Sequence, residues 1–157
     1  MKKILATFFV LLLLIGHENI IFASYKNEEV FDEEMEHYLQ EIFDTRIDIW
    51  NGFMRGEYVS IEAVIEDLQE HIMEPLLTTD VEIYTDLLQN PASYEMIEQV
   101  KIITCKEIKK YGNKREYNVK VLWTIQDYEE ILYEEIEYRM ELRWVKNKWM
   151  LSDYQLK

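Results

Sequence analysis

The chain has 157 residues, with 17 Lys or Arg against 31 Asp or Glu and a formal net charge of −14, so its surface repels DNA, RNA and anionic lipid. Its length suits one ordinary domain with a single core, and its one cysteine, Cys105, rules out an intramolecular disulfide. No Ser-His-Asp set, phosphate-binding glycine loop or Cys-x-x-Cys pair stands out.

The amino-terminal segment reads as an export signal. Lys2 and Lys3 precede an apolar run from Ile4 to Ile15 whose only polar interruption is Thr7, the layout of a signal-peptide h-region. Gly16 to Asn19 break the run, and Ile20, Ile21 and Phe22 lead to Ala23 and Ser24. Cleavage after Ala23 is expected, giving a signal peptide over 1–23 and one exported domain over 24–157. The alternative is a retained anchor over Ile4 to Ala23, which reaches the roughly 20 residues of a span only by burying His17, Glu18 and Asn19. Either way the lysine pair stays inside and the rest crosses the membrane, which the chain meets only through this segment. Without the leader, 15 basic and 30 acidic residues remain, a net charge of −15. A disulfide-free exported domain rich in Lys, Ile, Glu and Tyr points to a bacterial, extracytoplasmic protein.

From Asn27 to Arg55 the apolar residues Phe31, Met35, Tyr38, Leu39, Ile42, Phe43, Ile49, Trp50, Phe53 and Met54 recur at spacings of three and four, which predicts a long amphipathic helix. Glu28, Glu29, Asp32, Glu33 and Glu34 favour its start and Gly56 its stop. Ser60 is the expected N-cap of a second helix carrying Ile61, Val64, Ile65, Leu68 and Ile72, ending before Pro75. Thr79 with Glu82 forms a capping box for a third helix that runs to Asn90 and Pro91, and Ser93 to Ile97 add one short turn.

Past Val100 the period becomes two. A first strand holds Val100, Ile102, Ile103, Cys105 and Ile108 and ends in turn residues at Gly112 and Asn113. In the second, Tyr117, Val119, Val121, Trp123 and Ile125 alternate with Glu116, Asn118, Lys120, Thr124 and Gln126. An acidic stretch from Asp127 to Glu135 separates it from a third, with Ile136, Tyr138, Met140, Leu142 and Trp144 on its dry side. A turn at Asn147 feeds a fourth strand from Trp149 to Leu156. The expected fold class is α+β, with three N-terminal helices packed on one face of a four-stranded antiparallel meander.

That element order, with the ending Arg143-Trp144-Val145-Lys146-Asn147-Lys148-Trp149-Met150-Leu151-Ser152-Asp153, resembles the nuclear transport factor 2-like superfamily, also called cystatin-like. The resemblance implies a conical cavity between helices and sheet. It leaves activity open, since the superfamily holds isomerases, cyclases, dehydratases, transport adaptors and domains of conjugation machinery. The inhibitory glutamine-valine-glycine loop of the cystatins has no counterpart.

By parity, the candidate pocket residues are Tyr117, Trp123, Tyr138, Trp144 and Trp149. A ketosteroid-isomerase-like site would need a carboxylate base, a tyrosine and a second, protonated acid. Asp153 at the cavity mouth, with Tyr117 or Tyr138, supplies the first two roles, and no second acid stands on the dry faces. His71 with Glu74, and His37 with Glu41, lack the converging ligands of a zinc site. The acidic run around Asp127 to Glu137 lacks the glycine and ligand spacing of a calcium loop. No metal or cofactor is therefore expected, and Cys105 reads as a small buried hydrophobe. The expected function is a non-enzymatic exported domain binding a protein or a small apolar ligand outside the membrane. A membrane-anchored subunit of a conjugation or secretion apparatus and a small-molecule isomerase or cyclase are the alternatives.

Overall fold

The computed structural model describes residues 30–90, 96–126 and 130–157. The export segment at 1–23, Glu28 and Glu29 of the expected helix start, Pro91, Ser93 and residues 127–129 of the acidic stretch lie outside the described residues. Among the described residues, no helix is long and apolar enough to cross a membrane.

The chain enters through β1 (Val30–Phe31) and continues as α1 (Glu33–Met54). The Asp32 carboxylate accepts from the Met35 N–H at 3.0 Å, and Glu33, Glu34 and Glu36 follow in the first turn, where the helix dipole favours negative charge. The helix therefore starts later than the spacing from Asn27 predicts. The reason is a competing pairing: Val30 and Phe31 lie opposite Glu107 and Lys106, and the Asp32 N–H donates to the Cys105 carbonyl at 3.1 Å. Gly56, in the left-handed region at φ +73°, follows the helix end.

Ser60 caps α2 (Ile61–Leu68) as expected. This helix stops well short of Pro75, because the next residues join the sheet: Leu151 donates to the His71 carbonyl at 3.2 Å and Met73 to the Leu151 carbonyl at 3.0 Å, with Ile72 wholly buried between them. Leaving the helix thus gains two main-chain hydrogen bonds and a core side chain. α3 (Leu76–Gln89) begins before Thr79, so the Thr79–Glu82 box does not open it. Pro75 supplies a preset φ at the start, and the Glu74 carboxylate accepts from the Thr78 N–H at 3.3 Å and its hydroxyl at 2.6 Å.

Four long strands follow, β2 (Met96–Tyr111), β3 (Lys114–Gln126), β4 (Ile131–Val145) and β5 (Lys148–Leu156). The sheet order is β1-β2-β3-β4-β5, and every neighbouring pair is antiparallel. The α+β class is as expected, and β1 is an addition to it. Met96 and Ile97 belong to a strand rather than a helical turn. β4 starts at Ile131 instead of Ile136, since the β3–β4 ladder is unbroken from Gln126↔Ile131 onward. Pairing with β3 overrides the weak strand preference of Glu134 and Glu135. Three register shifts in β2 explain the change of parity between Ile102 and Cys105, because each bulge inserts one unpaired residue and bends the strand. The β4–β5 turn holds Lys146 and Asn147 at φ 50° and 66°, the left-handed pair of a type I′ hairpin.

The core lies between helices and sheet, where Leu39 and Phe43 of α1, Val64 and Leu68 of α2, Val119 and Val121 of β3, Met140 and Leu142 of β4 and Leu151 of β5 are almost wholly buried. Along the outer side of β2, two amides of α1 act as surrogate main chain. Gln40 gives its Nε2 to the Val100 carbonyl at 2.9 Å and takes the Ile102 N–H at 2.8 Å. Asn51 gives its Nδ2 to the Ile97 carbonyl at 2.7 Å and takes the Ile97 N–H at 3.1 Å.

Candidate functional site

The inner face of β3 is built as its alternation predicts, with Tyr117, Val119, Val121, Trp123 and Ile125 all buried. α1 supplies the opposing wall. Phe43 meets Trp123 edge-on with ring centres 5.8 Å apart and lies 6.1 Å from Tyr154. One turn further along α1, Arg46 is only 8% exposed. Its Nε and Nη2 contact Asp80 of α3 at 3.1, 2.9 and 2.7 Å, and Nη2 also reaches the Tyr154 hydroxyl at 3.3 Å. The guanidinium stacks over the Tyr154 and Phe43 rings at 5.1 and 5.6 Å, an arrangement that suits its planar, weakly hydrated cation.

Burial opposes both charges of this pair. At Arg46 the field of Asp80 and the Tyr154 contact overcome that penalty and raise the pKa. At Asp80 burial leaves the carboxyl above its usual range despite Arg46. The three short contacts are those of an ionised pair, and separating it would strand a charge in the core. What remains open between α1, α3 and the sheet is a cavity of about 20 Å³ lined by Phe43, Arg46, Trp50, Asp80, Tyr84 and Trp123, among others. Such a volume holds about one water, whereas small-molecule sites occupy roughly 300–1,000 Å³.

The sequence-derived candidates are dispersed. Tyr117 lies beneath the start of α1, its hydroxyl 3.1 Å from the Asp32 carboxylate and 3.2 Å from that of Glu107, and it accepts from Arg115 Nη1 at 3.2 Å. Burial, reinforced by Asp32, outweighs Arg115 and raises its pKa. Tyr138 stands edge-on to Tyr154 at 5.3 Å in the core, where burial raises its pKa too. Asp153 lies opposite Glu141 across a β4–β5 register shift. Because Leu151 and Tyr154 both stay buried, that shift turns Asp153 toward Glu141 on the sheet's outer side. There it accepts from Gln155 Nε2 at 3.0 Å, and partial burial lifts its pKa. No hydrogen bond among the described residues joins Asp153 to Tyr117 or Tyr138.

Trp123 lines the small cavity, while Trp144 and Trp149 pair edge-on at 5.3 Å beside the β4–β5 turn. Trp144 is 43% exposed, Arg115 lies 4.8 Å over the Trp149 ring, and the Tyr38 hydroxyl donates to the Trp149 carbonyl. Cys105 is buried, and burial, with Asp32, Glu36 and Glu107 nearby, pushes its thiol up to about 12, which leaves it unreactive. His37 and Glu41 form an exposed pair at 3.2 Å.

Two features escaped the sequence reading. One is an open groove of about 380 Å³ lined by Thr45, Asp48 and Ile49 of α1, Glu57, Tyr58 and Asp67, and Glu70 with His71. Several of its acids are engaged: Glu57 with Arg55 at 2.5 Å, Asp67 with the Tyr58 hydroxyl at 2.8 Å and Glu70 with Lys148 at 2.9 Å. The other is a network on the outer side of the sheet. Glu116, 6% exposed, accepts from Arg139 Nε at 3.1 Å and from the Tyr111 hydroxyl at 2.7 Å, with Lys114 Nζ at 3.3 Å. Glu141 is bound by Lys114, by Arg143 at 2.7 Å and by Ser152 at 2.9 Å. Among the described residues, no group of three His, Cys, Asp or Glu is placed to hold a metal.

No family model matches the sequence, and no curated protein matches it. Among solved structures, the chain is similar to the intermembrane space region of the chloroplast protein ARC6, at 12% identity and a TM-score of 0.46, over 77% of this chain and 95% of that one.

Proposed function

We propose that this chain is an exported, non-enzymatic domain that binds a protein outside the cell membrane, on a nuclear transport factor 2-like scaffold. The observation that carries this reading is the interior: where an enzyme of that superfamily would hold its substrate, Phe43, Trp123, Tyr154 and the Arg46–Asp80 pair leave about 20 Å³. A small apolar ligand has no room there, which leaves the exterior for recognition. The positive start and apolar run before Ala23 support export, and the net charge of −14 favours a basic partner.

The test uses the full chain in its native envelope, with a photo-activatable residue at Tyr133 or at Trp144, both exposed. A discrete protein adduct is expected from at least one position. The purified domain is expected to leave small enolisable ketones unchanged. Turnover of such ketones, abolished by Asp153→Asn, would replace the binding reading with an isomerase.

A further inference from the structure

We infer that the end of the sheet carrying the β2–β3 and β4–β5 turns seats on an anionic membrane surface, with Tyr111, Trp144 and the lysines beside them at the lipid headgroups. This goes beyond the protein-binding reading and concerns a different surface. Charge is divided along the sheet. Residues 109–115 and 143–148 hold seven of the 17 Lys and Arg and no Asp or Glu. The two turns adjoin, since Lys114 lies opposite Arg143 and the Trp144 N–H donates to the Asn113 carbonyl at 2.7 Å. At the far end, where Gln126 lies opposite Ile131, residues 130–137 hold four Glu and no basic residue.

The sheet carboxylates that engage this basic end stand back from the turns. Lys114 contacts Glu116 and Glu141, and Arg143 contacts Glu141, while Glu116 and Glu141 lie opposite each other two residues behind Lys114 and Arg143. Arg115 lies 3.6 Å from both Asp32 and Glu107, and Glu107 lies opposite Tyr117, further back again. Lys148 contacts Glu70, which follows α2. The acidic first turn of α1 starts beyond Phe31, level with Lys106. From there the helix runs away from the turns, with Gln40 at Val100 and Asn51 at Ile97. Lys110 and Lys146, both exposed, have no ion pair among the described residues. The net charge of −14 does not cancel this end, because at physiological ionic strength charges act over about 8 Å.

Exposed aromatic rings accompany these lysines. Tyr111 is 46% exposed, with the Lys109 and Lys114 amines 5.9 and 5.4 Å from its ring centre, and Trp144 is exposed beside Trp149. Trp and Tyr set among Lys and Arg suit the headgroup region of an anionic bilayer, where an amphipathic ring and a cation both find partners. An acidic protein would meet the same charges, but the course of the chain favours the membrane. Val30 is the end of β1 nearer Tyr111, since it lies opposite Glu107 and Phe31 lies opposite Lys106. Six residues, 24–29, join it to the expected leader. They reach at most about 20 Å, more than the roughly 13 Å from Glu107 to Tyr111 along β2. A leader held in the bilayer thus brings this end of the domain to the lipid surface.

The test places the full chain in vesicles of phosphatidylcholine alone, or of phosphatidylcholine and phosphatidylglycerol at about two to one, with equal amounts of lipid brominated near the headgroup. The leader has no tryptophan, and Trp50 and Trp123 are buried, so quenching of tryptophan fluorescence reports on Trp144 and Trp149. Quenching is expected on the anionic vesicles and should be lost at high salt. Lys110→Glu with Lys146→Glu should lower the ratio of quenched to unquenched protein at least about tenfold, whereas Lys101→Glu, exposed elsewhere on β2, should leave it unchanged. Circular dichroism checks that the double variant folds, and the lipid and salt arms decide the matter if it does not. Equal quenching without phosphatidylglycerol, no quenching on either vesicle, or no effect of the double reversal would each overturn the proposal. In the native envelope, a photo-activatable residue at Trp144 is expected to give a lipid adduct. A protein adduct there in its place would overturn the membrane seat while leaving the protein-binding reading intact.

Discussion

The two halves of β4 both alternate aromatic or aliphatic residues with charged ones, yet they differ in charge and in flank. From Tyr138 to Val145 the strand lies between β3 and β5, its inward Tyr138, Met140 and Leu142 are buried, and the carboxylates beside it are matched by Arg139, Lys114 and Arg143. From Ile131 to Glu137 it has one neighbour, exposed apolar side chains and carboxylates that exceed the nearby cations. The difference teaches that the neighbours of a strand and the charges it carries together decide how much it contributes to the core. The other side of the sheet makes the same point: β1 covers only Lys106 and Glu107 of β2, and Gln40 and Asn51 bond main-chain groups of β2 beyond that short pairing.

The largest test of this contrast removes the floor beneath the well-flanked half. Arg46 lies against Tyr154, the β5 residue opposite Met140. Asp80→Ala leaves its guanidinium buried without a counter-ion, and about 3–5 kcal/mol should be lost in denaturant unfolding. Replacing both partners, Arg46→Met with Asp80→Leu, should recover most of that loss, as a well-packed apolar pair does in place of a buried ion pair. A loss below about 1 kcal/mol for Asp80→Ala would mean that water reaches Arg46 and that the interior is not closed.

Next in size is the sealed edge. Asn51→Ala strips the Ile97 N–H and carbonyl of their partner, which should cost about 1–3 kcal/mol. It should also open a second strand edge and promote self-association measurable by sedimentation. If stability falls without any self-association, the amides seal the edge only energetically.

Much of this layout was legible beforehand because it depends on period alone. The alternation from Tyr117 to Ile125, the stripe along α1, the Ser60 cap and the turns at Gly112 and Asn147 are local signals, and each lies where its residues predict. What was not legible depends on a partner far along the chain. Phe31 continues the apolar spacing of α1, and only the pairing of Val30 and Phe31 with Glu107 and Lys106 makes this segment a strand. Asp153 keeps the strand parity on paper, but the register shift beside Glu141 changes the face it meets. Trp144 has the right parity and is still 43% exposed, set beside the β4–β5 turn against Trp149. The Arg46–Asp80 pair did leave a trace: Arg46 falls at the core register of Phe43 and Trp50, and Asp80 at that of Leu76 and Tyr84. Two opposite charges at apolar positions on two helices signal a buried ion pair.

The smallest effect concerns charge on the two halves. Burial pushes the Glu116 carboxyl up, but hydrogen bonds from Arg139 and Tyr111 and the charge of Arg139 more than reverse this and hold it at about 2. A carboxyl depressed in the folded state stabilises above its unfolded pKa, near 4.3, and that contribution fades as the pH falls toward the folded value. Arg139 is half exposed, so solvent screening reduces the gain to about 1–2 kcal/mol. Glu116→Gln should therefore be less stable than the parent by that amount at neutral pH. The gap should close between about pH 4.5 and pH 2. Glu134→Gln, on the open half, should stay within about 0.5 kcal/mol of the parent throughout. A matching loss for Glu134→Gln would mean that its half of β4 contributes to folding as much as the half that carries the Arg139 network, and the contrast between the two halves would fail.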